Sequence, residues 1–517
     1  MNIVLYGPPG SGKSSVGRAL AEKLGREFVD VDALIEAQIG QTIPDLFAQR
    51  GEAEFRRIEA EACAALAARS KLVIAPGGGA LLNPANRAAL ERTGLIICLR
   101  AEAAALLDRL QHASAPRPLL AGDDPAARLN TLLDARRPVY DSFPEQIDTT
   151  GQSIQQAVDH VLALLEPRAL PVNAPGLQHE IVLGYGLIES LLPALDAYNL
   201  RGPKVIVTDE HVAPILPRSL RHLPWAVLPA GEAHKNLESI KALYDAFLKQ
   251  ELDRSGLVIA VGGGVIGDMA GFAAATFMRG VRWVNVPTTL LAMVDASLGG
   301  KTGVDLPQGK NLVGAFHPPA LVVSDPLVLN TLPAPERISG LAEVIKHGVI
   351  GDAALFEALE AGAAFGSLEQ LQRAIEVKIR VVEADPFEQG QRATLNLGHT
   401  IGHGVEAASG YQLRHGEAIA IGLVAEARIA EQMGLAERGL AERIARVAQN
   451  VGLPVRCPPE RSRRADPTTI RAAMSRDKKK AGGQLKFALP KRLGEVGWGI
   501  EVEAALLSAT LDSITAV

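Results

Sequence analysis

The chain has 517 residues, room for about three domains at ~150 residues each. Hydrophobic residues make up 47% and charged ones 21%, which buries sizeable cores and excludes wholesale disorder. Fifty-three basic against 58 acidic residues leave a net charge of −5, and aromatics are only 4%, so no basic field or base-stacking platform for nucleic acid is expected. Cys63, Cys98 and Cys457 lie far apart without a CxxC, so neither a disulfide framework nor a thiolate zinc knuckle is expected. The opening MNIVLYGPPG is too short and too interrupted for a signal peptide, and no apolar run is long enough to span a membrane. The expectation is a cytoplasmic protein acting on small molecules, with no nucleic-acid or membrane partner.

Ile3–Tyr6 reads as a strand, followed by a Gly-rich turn and a helix from about Ser14 to Leu24. Further strands are expected at Phe28–Val31, Leu72–Ala75 and Leu95–Leu99, with Ala-rich helices between them and a last helix ending near Leu165. Such alternation implies an α/β unit, residues 1–165, whose parallel sheet carries helices on both faces. Residues 166–177 begin EPRALPVNAPG, with three prolines and no helical period, and read as a linker. A second alternating region, 178–332, has strands at Lys204–Thr208, Ala226–Leu228, Leu257–Val261 and Val284–Val286. From 333 to 517 helical periods dominate, with a strand-like LKFAL near the end.

Gly7-Pro8-Pro9-Gly10-Ser11-Gly12-Lys13-Ser14 matches G-x-x-x-x-G-K-[ST] between a strand and a helix. There, backbone N–H groups wrap phosphates, Lys13 neutralises their charge and Ser14 ligates Mg²⁺. Asp30 and Asp32, one residue apart at a strand end, are expected to share a face, one binding a substrate hydroxyl and the other acting near the metal. A helix N-cap role fits Asp32 almost as well. Phe55-Arg56-Arg57-Ile58-Glu59, Gly77-Gly78-Gly79, Arg117-Pro118-Leu119-Leu120 and Arg136-Arg137-Pro138-Val139-Tyr140 follow, the third in a stretch suited to a lid. Singly, each arginine reads as a solvated charge.

In that order these motifs resemble shikimate kinase along the whole unit. The resemblance implies that Asp32, Arg56, Gly78 and Arg136 hold shikimate. It further implies that Arg117 reaches the phosphates of ATP and that Gly10, Ser11, Gly12, Lys13, Ser14 and Ser15 cradle them with Mg²⁺. Planar guanidinium forks suit a carboxylate substrate. Pro76, ahead of the glycines, stands where a small or hydroxyl residue is commoner.

In the second region Gly262-Gly263-Gly264-Val265-Ile266-Gly267-Asp268 opens a helix after an apolar strand. This is compatible with a dinucleotide pyrophosphate or simply with tight strand–helix packing. Three of the 11 histidines, His399, His403 and His415, fall within seventeen residues. His399 and His403 share a helix face and, with a carboxylate such as Glu343, suit zinc. Basic residues in apolar or Gly-rich surroundings, namely Arg279, Lys301, Lys310, Lys346, Lys378 and Arg392, point to a bound anion.

GGGVIGDMAGFAAATFMRG, VPTTLLAMVDASLGGKTGVD, GKNLVGAFHPP, SGLAEVIKHG, LNLGHTIGHGVE and HGEAIAIG resemble 3-dehydroquinate synthase from residue 178 to the end. The resemblance implies NAD⁺ held by Asp209, Glu232, Lys235, Gly264, Val265, Ile266, Gly267, Asp268, Thr288 and Thr289, with Lys301 and Lys310 at the cofactor–substrate junction. It implies Zn²⁺ (or Co²⁺) on Glu343, His399 and His415, so His403 moves to a catalytic, phosphate-side role. Asp295, Lys346, Arg279, Asn311, Lys378, Arg392 and Asn396 would line the substrate pocket, closed by one of Lys478, Lys479 and Lys480. Gly404 stands where Ala is commoner. The expected activities are phosphorylation of shikimate and conversion of 3-deoxy-D-arabino-heptulosonate 7-phosphate to 3-dehydroquinate plus phosphate. The C-terminal unit is the candidate for homodimer contacts. The rival reading pairs another small-molecule P-loop kinase with a glycerol-dehydrogenase-like NAD/metal enzyme.

Overall fold

The computed structural model describes residues 1–112, 124–461, 465–480 and 485–515, with only the backbone for 476–480. The main division between two compact units falls between Pro167 and Arg168.

The first unit is built on β1 (Asn2–Tyr6), β2 (Glu27–Asp30), β3 (Leu72–Ala75), β4 (Gly94–Arg100) and β5 (Gln146–Asp148). They form one parallel sheet in the order β2-β3-β1-β4-β5. Runs such as IVLY and LVIA are apolar throughout because both faces are covered. The strand order reverses at β1, and the Gly-rich turn leaves its carboxyl end there, where open α/β sheets bind ligands. Tyr6, Phe55, Cys63, Leu66, Tyr140 and Phe143 share one core beneath it.

The second unit carries β6 (Arg168–Val172), β7 (His179–Leu183), β8 (Lys204–Asp209), β9 (Trp225–Leu228), β10 (Leu257–Gly262), β11 (Arg282–Pro287), β12 (Lys301–Leu306), β13 (Gly309–Phe316) and β14 (Leu321–Ser324). Seven of them form a sheet in the order β6-β7-β14-β11-β10-β8-β9, parallel except for the β6–β7 pair. The expected linker 166–177 is thus corrected: five of its residues are β6. Leu170 and Val172 alternate inward, while exposed Pro171 is tolerated because β6 is an edge strand. Ala174 and Leu177 then pack on Val382.

Lys301 opens β12 directly after Gly299 and Gly300, whose φ values are 91° and 66°, and Lys310 lies near the start of β13. Gly303 and Gly314 face each other across the hairpin, where a Cβ would fall 2.7 Å from Val313 O and 2.2 Å from Thr302 O. These two glycines allow close strand approach.

The rest is mostly helical, with β15 (Phe487–Arg492) and β16 (Glu495–Ile500) as a hairpin. The helices His399–Ala408 and His415–Gln432 nearly touch: a Cβ on Gly422 would lie 1.9 Å from Gly398 O. Gly404 has a similar reason, since a Cβ there would lie 2.6 Å from Met474 Cγ on the helix Pro467–Lys480.

Candidate active sites

In the first unit the turn after β1 bends at Gly7, Gly10 and Gly12, with φ of 141°, 80° and 95°, a region that excludes most side chains. Lys13 opens the helix Lys13–Leu24 and donates from Nζ to Gly7 O and Pro8 O, each at 2.9 Å. Ser11 is buried and its hydroxyl has no hydrogen-bond partner among the described residues, while Ser15 faces solvent. A buried hydroxyl and a ring of main-chain N–H groups at a helix start fit a polyphosphate. Ser14 Oγ donates to Asp30 Oδ2 at 2.7 Å.

The Asp30–Asp32 pair is not two residues on one strand face. β2 stops at Asp30, which N-caps the helix Val31–Ile39 by accepting from Asp32 N at 3.2 Å. Asp32 lies in the first helical turn, where its carboxylate meets Gly77: a Cβ there would lie 2.7 Å from Oδ1. Arg136 Nη1 donates to Gly78 O at 2.9 Å, as does Tyr6 OH at 3.1 Å. A Cβ on Gly79 would lie 3.2 Å from Arg56 Nη2 and 3.5 Å from Arg136 Nη2. Two guanidiniums and one carboxylate therefore converge on three glycines. Arg56 is braced by Glu52 at 3.0 Å and buried Glu59 at 2.9 Å. Burial pushes the Glu59 carboxyl up, against the pull of Arg56. Arg117 lies outside the described residues.

In the second unit the fully buried Glu343 sits on the helix Ala334–Gly351. Its Oε1 lies 3.6 Å from His399 Nε2 and 3.5 Å from His415 Nε2 and accepts no hydrogen bond from the described residues. Three ligand atoms within reach of one another, two of them imidazole nitrogens, fit zinc or a similar divalent ion. His399 Nδ1 faces Leu397 O at 3.1 Å. His403 belongs to an overlapping group with Glu406 and His415, so the i,i+4 pair alone is not the ligand set the structure brings together most deeply.

A buried chain of alternating charge surrounds this centre. Lys346 pairs with Glu343, donates to Leu395 O at 3.0 Å and lies 4.0 Å from Asp295. Lys378 donates to Asp295 Oδ1 at 2.5 Å. Despite burial, Lys378 and Lys346 hold the Asp295 carboxyl below its ordinary range. Burial pulls the Lys378 ammonium down. Arg392, also buried, donates to Pro386 O at 2.5 Å. Lys301 pairs with Glu388 near the surface.

On the dinucleotide side, β10 runs into the helix Gly264–Thr276 through Gly263. A Cβ on Gly262 would lie 2.6 Å from Ile266, one on Gly264 3.1 Å from Ala296, and one on Gly267 3.2 Å from Asn285. The glycines thus serve close packing. Thr288 N donates to Gly262 O at 2.9 Å, and Thr289 caps the next turn. Asp209 ends β8 and accepts from His211 N and Val212 N at 2.9 Å. Lys235 donates to Asp268 at 2.7 Å and to Asn311 at 2.6 Å. Lys310 lies 3.7 Å from Glu232. Arg279 follows Met278 in left-handed backbone, φ 68° after 49°, and Asn396 ends the turn Gln391–Asn396. Lys478 and Lys479 lie in a last helical turn whose side chains are outside the described residues.

Three residues were missed by sequence reasoning. Glu406 stands in LNLGHTIGHGVE without an assigned role. Buried Glu426 accepts from Gly398 N at 2.5 Å and Ile401 N at 3.0 Å, capping the helix that carries His399. Asp385 gathers Gln389 N, Gly390 N and Arg392 N at 2.8, 2.7 and 3.0 Å, shaping the loop that aims Arg392. Only Glu406 carried a signal, three residues after His403.

The shikimate kinase family matches residues 9–166. The 3-dehydroquinate synthase N-terminal and C-terminal families match residues 225–339 and 340–480. A 3-dehydroquinate synthase from Synechocystis sp. is 42% identical over 361 residues, spanning 66% of this chain and 99% of the relative. A 2-epi-5-epi-valiolone synthase from Streptomyces hygroscopicus subsp. jinggangensis, solved with NAD⁺ and Zn²⁺ bound, is 29% identical with a TM-score of 0.58, over 66% of this chain and 98% of that one. A 2-deoxy-scyllo-inosose synthase complexed with carbaglucose-6-phosphate, NAD⁺ and Co²⁺ is 26% identical with a TM-score of 0.59, over 67% and 99%. Among the described residues no helix is long and apolar enough to cross a membrane.

Proposed function

The chain belongs to the 3-dehydroquinate synthase family and carries a shikimate kinase unit ahead of it, and from that premise we propose how its side chains serve two reactions. The first unit phosphorylates shikimate to shikimate 3-phosphate with ATP and Mg²⁺. The second converts 3-deoxy-D-arabino-heptulosonate 7-phosphate to 3-dehydroquinate and phosphate with NAD⁺ and zinc or cobalt.

In the kinase unit Gly10, Ser11, Gly12 and Ser15 form the phosphate cradle and Lys13 supplies its point charge. Ser14 offers its hydroxyl to Mg²⁺, oriented by Asp30 at 2.7 Å. Arg56 and Arg136 take the shikimate carboxylate as guanidinium forks, Asp32 accepts from a ring hydroxyl, and Gly78 leaves room for the ring. Arg117 serves the ATP phosphates.

In the second unit Asp209, Glu232, Lys235, Val265, Ile266, Asp268, Thr288 and Thr289 hold NAD⁺ around Gly264 and Gly267. Glu343, His399 and His415 hold the metal. When bound, the metal supplies a Lewis acid for the hydroxyl being oxidised, and NAD⁺ supplies a hydride acceptor that is restored each turnover. Lys346, Lys378, Arg392, Arg279, Asn311, Asn396 and the Lys478–Lys479 segment balance the substrate's carboxylate and phosphate. Asp295 sits between two of those lysines and aims them. His403 moves a proton on the phosphate side, and Lys301 and Lys310 bridge cofactor and substrate.

The observation that carries this reading is the convergence of Glu343, His399 and His415 beside buried Lys346 and Lys378. A glycerol oxidiser has no use for buried cations. The test is a pair of assays on the purified protein: shikimate with ATP, and the heptulosonate phosphate with NAD⁺. Absence of phosphate release in the second assay, in zinc-loaded protein, would end the reading. The proposal includes a cytoplasmic homodimer formed through the second unit, supported by exposed Leu312 and Phe316 on β13 and checked by sedimentation.

A further inference from the structure

Glu406 lies three residues after His403 on the helix His399–Ala408 and is almost fully buried. Its two oxygens serve two partners. Oε1 accepts from Lys310 Nζ at 2.9 Å, and Oε2 lies 3.4 Å from His415 Nδ1. Lys310 comes from the β12–β13 hairpin and also lies over the Tyr411 ring at 4.7 Å. His415 opens another helix, and its other nitrogen, Nε2, faces Glu343 Oε1 at 3.5 Å.

The two ring nitrogens of His415 therefore have different tasks. A carboxylate at Nδ1 keeps the proton there and leaves the Nε2 lone pair toward Glu343 and His399. His399 achieves the same division with Leu397 O at its Nδ1. The backbone carbonyl is fixed by the turn before the helix. Glu406 is a side chain, charged, and shared with Lys310, so a change at one partner is felt by the other.

We propose that Glu406 is a positioning residue that orients His415 for the metal and holds Lys310 with the same carboxylate, so that metal binding and the placement of Lys310 are linked. This rests on Glu343, His399 and His415 being the ligand set. A metal on Nε2 makes the imidazole more positive and draws Glu406 toward Nδ1. The hold on Lys310 then loosens, freeing its ammonium for an anionic ligand.

The test is Glu406→Gln in the full chain, nearly the same size but unable to accept from both partners. Zinc affinity, read by competition with a chromophoric chelator, is expected to fall ~10–100-fold. The visible bands of the Co²⁺-loaded protein are expected to shift. In the parent, zinc should change NAD⁺ affinity; in Glu406→Gln that dependence should shrink to within twofold of none. Zinc affinity within twofold of the parent and an unchanged cobalt spectrum would overturn the proposal. His399→Ala and His415→Ala in the same titration separate the two ideas. If they keep stoichiometric zinc, the ligand set is wrong; if they lose it while Glu406→Gln keeps full affinity, only the role of Glu406 is wrong. Should Gln not be tolerated, Glu406→Asp is read by the same criterion, its carboxylate one methylene too short to span both partners.

Discussion

The phosphate cradle of the first unit and the metal centre of the second solve opposite problems. The cradle is one contiguous turn, and its recognition groups are main-chain N–H donors set by three glycines at positive φ. It needs little beyond a strand end, a helix start and one lysine. The metal centre is assembled from three helices, with Glu343 far along the chain from His399 and His415. A lattice of Lys346, Asp295 and Lys378 places charges of both signs around it. Local backbone geometry makes a site that is robust and easily read. Long-range packing makes a site that is dry and strongly biased, but fragile.

The largest expected effect breaks the fragile side. Removing the metal with a chelator, in buffer resupplied with Mg²⁺, should abolish dehydroquinate formation and leave shikimate phosphorylation intact. His415→Ala should contain no stoichiometric zinc by elemental analysis, whereas His403→Ala should retain it and lose activity. Retention of zinc by His415→Ala would strike that residue from the ligand set.

On the robust side, Lys13→Ala should lower shikimate phosphorylation on the order of 10²–10³-fold by losing a charge aimed at the transferring group. Phosphate release from the heptulosonate should persist. Asp30→Asn should cost less, ~10–100-fold, because it only orients Ser14 and caps one helix. An Asp30→Asn effect as large as that of Lys13→Ala would move Asp30 from orientation into direct chemistry.

A subtler contrast lies in pH. Burial, partly opposed by the N–H groups of Ile401, Gly398 and Thr400, raises the Glu426 carboxyl to about 8. A carboxyl raised on folding contributes stability that is fully present below its unfolded value, near 4.5, and is lost as pH rises through about 8. Urea midpoints of the second unit should therefore fall between pH 5 and 9 relative to Glu426→Gln. Parallel pH curves for the two proteins would remove Glu426 as the cause. Among the described residues the helix at the cradle of the first unit starts on Gly12 without a side-chain cap.

The same contrast explains what the sequence made legible. Gly7 to Ser14 and the triglycine 77–79 could be read because local spacing determines their geometry. Asp30 and Asp32 were misplaced because a strand of four residues ended one residue earlier than expected and a helix began at once. The β12–β13 hairpin stayed hidden because glycines, here needed for strand approach, are uncommon inside strands. β6 stayed hidden because prolines at an edge strand look like a linker. In the second unit the histidine cluster was visible by density, but spacing favoured His399 with His403. Only the packing of three helices brings His415 to Glu343. Glu426 and Asp385 had no sequence signal, since each acts by gathering main-chain N–H groups.

The smallest expected effect concerns the fusion. Shikimate differs from 3-dehydroquinate by loss of water and a reduction, and neither site performs either step. The product of the second unit is thus not a substrate of the first, so direct transfer between the two sites has no chemical purpose. Among the described residues each unit has its own sheet, and the two sheets share no strand. Pieces 1–167 and 168–517 should each keep a kcat within about threefold of the intact chain, well under ~1 kcal/mol of barrier. The cut position matters, because β6 belongs to the second sheet. A piece starting at 178 loses the buried Leu170 and Val172, worth ~1.5–3 kcal/mol each. It should melt earlier than the piece starting at 168 while keeping the same metal content. A hundredfold loss of kcat in the well-folded 168–517 piece would show that the second site is not complete within its own unit. That would set the long-range character of the metal centre beyond the helices that hold it.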